Sequence, residues 1–306
     1  MTIPAVTVVI ATIATRGKTP ALLRAIASIR DQDMACRIIA VVNGNKRDDE
    51  LVKALRHADD IDVQVFEEGN LVKALTFGVG AVRTPYFCVL DDDDVLMPGA
   101  CRKRFEYMEA NPSADVLVTA GIKQHADGRI ERVPARLDRN DPLTSLFDCN
   151  WLPSCGAIYR RARIGPGYFS SMPRYLEWTH LAFRLVRERC VHFSSDDNEP
   201  HFKIFETVGS ESLSLNYVVA LPGNIARLRD EALPEHIQHL LGDKLARAFH
   251  DAASRCMTAG RTREAWVFHL ASLRQRRGAR YLPFTRHLIV AALQAVLPGN
   301  PKALDT

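Results

Sequence analysis

Apolar and polar positions follow two different periods along the first hundred residues. Short apolar runs at Val6 to Ala11, Arg37 to Val42, Val63 to Phe66 and Tyr86 to Leu90 are separated by stretches in which apolar residues recur every three or four positions. The first run is almost unbroken in apolar character, as a strand buried on both faces should be. Behind Thr19-Pro20, a cap followed by proline at the first helical position, Leu22, Leu23, Ile26 and Ile29 form one helical stripe. Asp48-Asp49 lead acid-first into a helix with Leu51, Val52 and Leu55, and Asn70 caps one with Ala74, Leu75 and Gly78. Strands alternating with helices predict an α/β domain with a Rossmann-like, mostly parallel sheet flanked by helices. Ligands of such sheets bind beyond the carboxyl ends of the strands, so the loops Thr12 to Lys18, Asn43 to Lys46 and Asp91 to Asp94 should share one crevice.

Past Pro98-Gly99 the pattern predicts a helix to about Glu109, a strand over Asp115 to Ala120, a polar excursion with Arg129, Arg132 and Arg136, a strand over Gly156 to Tyr159 and a helix from Leu176 to Arg187. The α/β domain is assigned to residues 1–222, with halves 1–110 and 111–222, and a helical appendage to 223–306. In the appendage Leu240, Leu241, Leu245, Ala248, Phe249 and Ala252 form one stripe, Gly260 serves as a stop, and Ala265, Trp266, Phe268, Leu270 and Leu273 mark a second helix. A helical hairpin results.

With 306 residues, 47% of them hydrophobic, the chain can bury a full core, which argues against disorder. No basic segment followed by an apolar one opens the chain, so a cleavable export signal is not expected. Seven cysteines, odd in number and without a CxxC pair, read as reduced thiols of a cytoplasmic protein. The formal charge of +4 is concentrated late: residues 261–306 carry eight Lys and Arg against two acids. Arg274, Arg276, Arg277 and Arg280, followed by Tyr281, Phe284 and the apolar run Leu288 to Leu297, resemble an interfacial anchor on an anionic membrane surface over 274–297. That run is too short to span a bilayer. A helix packed on its own domain and a homo-oligomer contact fit the pattern equally.

Asp91, Asp92, Asp93 and Asp94 stand at the end of the fourth strand. Carboxylates held together raise one another's pKa unless a cation sits among them, and Mg²⁺ or Mn²⁺ meets that need with oxygen ligands from one or two carboxylates and a substrate phosphate. If the strand persists through the run, Asp91 and Asp93 face one way and Asp92 and Asp94 the other. A solvated acidic turn, or a cap before Val95, is the plainer alternative.

Val8 to Thr12 with Arg16, Val41 to Asn45, Asn70 with Ala74 and Gly78, and Tyr86 to Asp94 with Pro98 together resemble the family 2 inverting glycosyltransferases over roughly residues 6 to 110. The resemblance implies a GT-A fold and a hexosyltransferase-type enzyme. It implies a nucleotide-diphosphate sugar donor, UDP foremost, with the 91–94 segment as the DxD motif: Asp91 and Asp92 on the donor, Asp93 and Asp91 on the metal. It also implies that Thr12, Arg16, Asn43 and Asn70 line the nucleotide. Where the family usually has an aspartate reading the base, this chain has Asn43, whose amide oxygen accepts the same hydrogen bond without charge. The acceptor implied is a glycan or lipid-linked hydroxyl in cell-surface polysaccharide synthesis at the inner membrane face, and no nucleic acid partner is expected.

Inversion needs a base for the acceptor hydroxyl. The segment Arg174 to Leu185 resembles the family's base-bearing helix, but Trp178 stands at the usual aspartate position, leaving Glu177 as the candidate and His180 as the second. Trp151 and Trp178 fit either a sugar-stacking role or core packing. Ser212-Leu213-Ser214 matches a family segment without the metal-binding His that usually precedes it, and His192 and His201 receive no role. Two other readings remain open: a sugar-phosphate nucleotidyltransferase, for which the loop after the first strand has too few glycines, and a non-catalytic sugar-binding relative.

Overall fold

The computed structural model describes residues 4–195, 199–206 and 214–296. The chain forms two compact units, Met1–Val208 and Gly209–Thr306.

In the first unit the elements run β1 (Val6–Thr12), α1 (Thr19–Arg30), β2 (Cys36–Asn43), α2 (Asp49–Arg56), β3 (Ile61–Phe66), α3 (Leu71–Ala81) and β4 (Tyr86–Asp91). They continue with β5 (Val95–Leu96), α4 (Ala100–Ala110), β6 (Val116–Val118), β7 (Gly121–Gln124), β8 (Ile130–Val133), α5 (Pro142–Asp148) and β9 (Ala157–Arg160). Last come α6 (Pro166–Ser170), α7 (Glu177–Glu188), β10 (Val191–Phe193) and β11 (Phe202–Phe205). Seven strands order as β10-β6-β9-β4-β1-β2-β3, parallel except for β9, and four more form a smaller sheet, β5-β11-β7-β8. The predicted parallel sheet and flanking helices are therefore present.

Strand periodicity decides which helices cover which face. Val6, Val8 and Ile10 join Leu22, Ile26 and Ile29 of α1, Val52 and Leu55 of α2 and Met108 of α4 in one core. Val9 and Val41 point the other way, where α3 lies so close that a Cβ on Gly78 would come within 2.6 Å of Val9 Cγ1 and 2.8 Å of Val41 Cγ2. On that same α1 the expected stripe needs one correction: Leu23 is exposed, because the helix turns it away from the sheet. Thr19 is also not the cap. It is the first helical residue, and Lys18 occupies the cap position without a side-chain bond. Asp48 and Asn70 do cap α2 and α3.

The second unit contains α8 (Leu215–Arg229), α9 (Glu235–Thr258), α10 (Thr262–Leu273) and α11 (Phe284–Val296). Helices α9 and α10 form the predicted hairpin. Gly260, at φ +74°, ends α9 with its own N–H on the Met257 carbonyl and the Arg261 N–H on the Cys256 carbonyl, a Schellman motif. Cys256, Ala265 and Leu288 centre its core, with Trp266, Phe268 and Phe284 around them. Leu240 is exposed and Phe249 half-buried, so the α9 stripe is narrower than expected. Among the described residues no helix is long and apolar enough to cross a membrane.

Candidate active site

The site is built where β1, β2 and β4 end side by side. Strand β4 stops at Asp91, and the Asp94 N–H returns to the Asp91 carbonyl at 3.3 Å, so the four aspartates form a turn. The alternation expected of a continuing strand does not apply. The carboxylates instead find partners across the fold, Asp92 and Asp93 sharing one of them.

Asp91 Oδ2 accepts from Ser154 Oγ at 2.7 Å. Asp92 Oδ2 accepts from Thr12 Oγ1 at 2.7 Å, and Asp92 Oδ1 from Lys18 Nζ at 3.2 Å. Asp93 Oδ2 accepts from the same Lys18 Nζ at 2.7 Å, while the Asp93 carbonyl accepts from Arg24 Nη2 at 2.9 Å. Asp94 Oδ1 accepts from the Phe205 N–H at 3.1 Å, and Cys155 Sγ lies 3.8 Å from Asp94 Oδ2. Withdrawal from water, with the Asp93 and Asp92 charges beside it, pushes the Asp91 carboxyl far up, against the pull of the Ser154 bond. Asp94 is pushed up in the same way, by burial first and Asp91 second. Lys18 sits above its ordinary value: partial burial works against its charge, but the Asp93 hydrogen bond and both neighbouring carboxylates outweigh it.

Beneath the turn lies a fully buried cation. Arg104 donates through Nη2 to Thr119 Oγ1 at 2.8 Å and to the Cys155 carbonyl at 2.9 Å. It thereby fixes the short turn Ser154–Gly156 from which Ser154 and Cys155 reach Asp91 and Asp94.

Thr12, Asp91, Asp92 and Asp93 are thus brought together, as the sequence predicts. Arg16 is not part of that cluster: its side chain is 89% exposed and pairs with Asp48 at 3.0 Å. Asn43 and Asn70 form a pair of their own, the Asn70 N–H donating to Asn43 Oδ1 at 2.9 Å and tying the end of β2 to the start of α3. Glu177 stands in the first turn of α7, half-buried, as is Trp178. Just before it Tyr175 has φ +70°, and in the loop after β1 Ala14 has φ +46°. These are two of three non-glycine residues with positive φ among the described residues, and such strained backbone concentrates at functional sites. Trp151 belongs to the core: it is fully buried, donates to the Pro142 carbonyl at 2.8 Å and meets Phe193 edge to face. His201 is buried in the smaller sheet and His192 Nδ1 contacts the Tyr107 hydroxyl at 3.0 Å. Ser212 and Leu213 lie outside the described residues.

Among the described residues no three His, Cys, Asp or Glu side chains form a ready-made metal cage. The chemistry of the turn nevertheless suits a hard divalent ion, which takes one or two carboxylates and completes its shell with substrate phosphate and water. Two of its carboxylate oxygens already converge on one cation, the Lys18 ammonium. Sequence reasoning gave no role at the aspartates to Lys18, Arg24, Arg104 or Ser154, the last lying in the Pro153 to Gly156 turn that resembles the family's acceptor-side loop. Lys18 lay within the predicted crevice loop, which was the available signal; the other three reach the turn across the fold.

The fold and the crevice define a GT-A glycosyltransferase. Residues 7–164, more than half of the chain, match glycosyl transferase family 2, and the chain belongs to that family. It is 32% identical over 101 residues to an uncharacterized glycosyltransferase of Methanocaldococcus jannaschii, a match covering 31% of this chain and 35% of that protein. The chain thus spans about a third of the length of this curated relative. Among solved structures it is similar to S. aureus TarS residues 1–349 in complex with UDP-GlcNAc, with a TM-score of 0.54 and 13% identity over 94% of this chain and 79% of that one. It is also similar to a mannosyltransferase of Pyrobaculum calidifontis in complex with GDP-Man and Mn²⁺, with a TM-score of 0.53 and 15% identity over 97% of this chain and 88% of that one. Family membership sets the nucleotidyltransferase reading aside.

Proposed function

We propose that the protein is a metal-dependent inverting glycosyltransferase that moves a sugar from a nucleotide diphosphate, UDP foremost, to a hydroxyl of a glycan or lipid-linked acceptor in cell-surface polysaccharide synthesis. The carrying observation is the aspartate turn at the end of β4, joined by Thr12 and Lys18 to the loop after β1. Asp91 and Asp93 would hold Mg²⁺ or Mn²⁺, which when bound offsets the charge of the departing diphosphate. Asp92 faces the donor from the same turn, and Thr12, Arg16, Asn43 and Asn70 surround the nucleoside. Asn43 Oδ1 keeps a second lone pair for a base N–H beyond the one given to Asn70. Glu177 takes the proton of the acceptor hydroxyl as its oxygen bonds to the anomeric carbon and the bond from that carbon to the diphosphate oxygen breaks.

The 1–222 and 223–306 division is read functionally: donor half 1–110, acceptor half 111–222, and a membrane-associating region. On α11 Leu288 is buried, whereas Ile289, Val290 and Leu293 are exposed together with Leu282 and, between them, Arg286. A helix apolar on both sides needs cover on its outer face as well. Exposed Arg274 and Arg286 favour anionic headgroups at the cytoplasmic membrane face over a second copy of this basic region. Residue 297 lies outside the described residues.

Thermal shift with UDP-, dTDP- and GDP-sugars, with and without Mn²⁺, tests the central reading. Metal-dependent stabilisation by one nucleotide class is expected, and its absence for all three overturns it. Salt-sensitive flotation with anionic liposomes tests the membrane reading.

A further inference from the structure

The turn that would take a divalent ion already holds a cation of its own. Lys18 Nζ lies 2.7 Å from Asp93 Oδ2 and 3.2 Å from Asp92 Oδ1. Thr12 holds the other Asp92 oxygen, so the ammonium sits on the oxygen Thr12 leaves and on Asp93. The metal in the reading above needs Asp93 as well. A +1 and a +2 charge a few ångströms apart repel strongly unless water or an anion intervenes. The Lys18 side chain is 35% exposed and carries its ammonium on a flexible four-carbon stem, so it can leave without unpacking the core. A nucleoside diphosphate entering the same crevice supplies the anionic oxygens to receive it.

We propose that Lys18 couples metal binding to donor binding: its ammonium fills the cation position of the free protein, gives way to the divalent ion, and transfers to the donor diphosphate. The inference rests on the metal-diphosphate reading of the turn. Its consequence is that metal and nucleotide bind each other's complex more tightly than the free protein, by one shared factor. A free protein that holds its own counterion also keeps its carboxylates together without metal, while Asp91 and Asp94 are held by the Ser154 hydroxyl and the Phe205 N–H.

The test is Mn²⁺ binding, read by the electron paramagnetic resonance of the free ion, on the wild type and Lys18→Met, alone and with UDP or GDP. Without nucleotide, Lys18→Met is expected to bind Mn²⁺ about three- to tenfold more tightly, as removal of one partly exposed competing charge should allow. Its nucleotide affinity should fall about tenfold, and nucleotide should strengthen Mn²⁺ binding by a smaller factor than in the wild type, only the direct contact between metal and diphosphate remaining. Lys18→Gln repeats the measurement if the Met variant does not fold. Equal Mn²⁺ affinity and equal coupling in wild type and variant overturn the role of Lys18 while leaving the metal site standing. No Mn²⁺ binding by either protein, with or without nucleotide, overturns both.

Discussion

Ser154 and Asp91, sixty-three residues apart, meet through a 2.7 Å hydrogen bond in which the serine hydroxyl donates to the carboxylate. The bond is one of few forces favouring the charged form of Asp91, which burial and two neighbouring aspartates oppose. Ser154→Ala removes the donor and leaves a buried oxygen short of a partner, at about 1–3 kcal/mol. The expected outcome is a lower melting temperature and weaker metal-dependent nucleotide binding. A variant that keeps both at wild-type level would show that Ser154 only fills space.

Removing a carboxylate should separate binding from packing. Asp93 has 23% of its side chain exposed and accepts from the Lys18 ammonium, whose side chain is itself 35% exposed, so Asp93→Asn should fold normally. Loss of one charged ligand is expected to abolish the Mn²⁺-dependent part of nucleotide binding, seen by calorimetry with and without chelator. Asp60→Asn, a surface carboxylate paired with Arg30, is the control and should change neither.

Glu177→Gln preserves size and helix position but cannot take a proton. If Glu177 is the base, turnover should fall by about 10²- to 10⁴-fold with donor KM nearly unchanged. Rapid donor hydrolysis that survives the substitution while transfer is lost would fit the same role. Unchanged transfer removes Glu177 from the mechanism and turns attention to His180.

These experiments follow from features of unequal visibility in the sequence. Strands β1, β2 and β4 were legible because burial on both faces leaves apolar runs. Asp48, Asn70 and Gly260 were legible because caps act within three residues. Leu23 misled because an exposed leucine still fits the helical period, and Trp151 kept two readings open because packing and sugar stacking demand the same ring. The aspartates announced the site, but their partners did not. Lys18, Ser154 and Phe205 reach them over 63 to 111 residues, and no local pattern records a contact formed by the crossing of distant strands and loops.

Gly78 allows a test of the packing that aligns β1 with β2 and so sets the crevice. A Cβ there would press on Val9 and Val41 well inside normal contact. Gly78→Ala is expected to cost about 1–3 kcal/mol through overpacking, despite the better helix propensity of alanine. A neutral or stabilising result by urea denaturation would mean that α3 can shift outward without penalty.

His201 makes one contribution to the pH dependence of the first unit. Its backbone joins β5 to β7 through the Met97 N–H and the Ala120 carbonyl, its ring is buried, and Nδ1 has no partner among the described residues. Burial, reinforced by the Arg104 charge, brings the imidazole down from 6.5 to about 4. The unfolded chain therefore takes up a proton near pH 6.5 that the folded protein refuses until about pH 4. Stability from this group is complete above pH 6.5 and drains away as pH falls through that window, by up to ~3 kcal/mol. Replacement by a residue that does not titrate, His201→Gln, should flatten the melting temperature between pH 7 and about pH 4 relative to the wild type. The two curves would run parallel if other groups, such as the paired surface carboxylates, governed acid sensitivity instead.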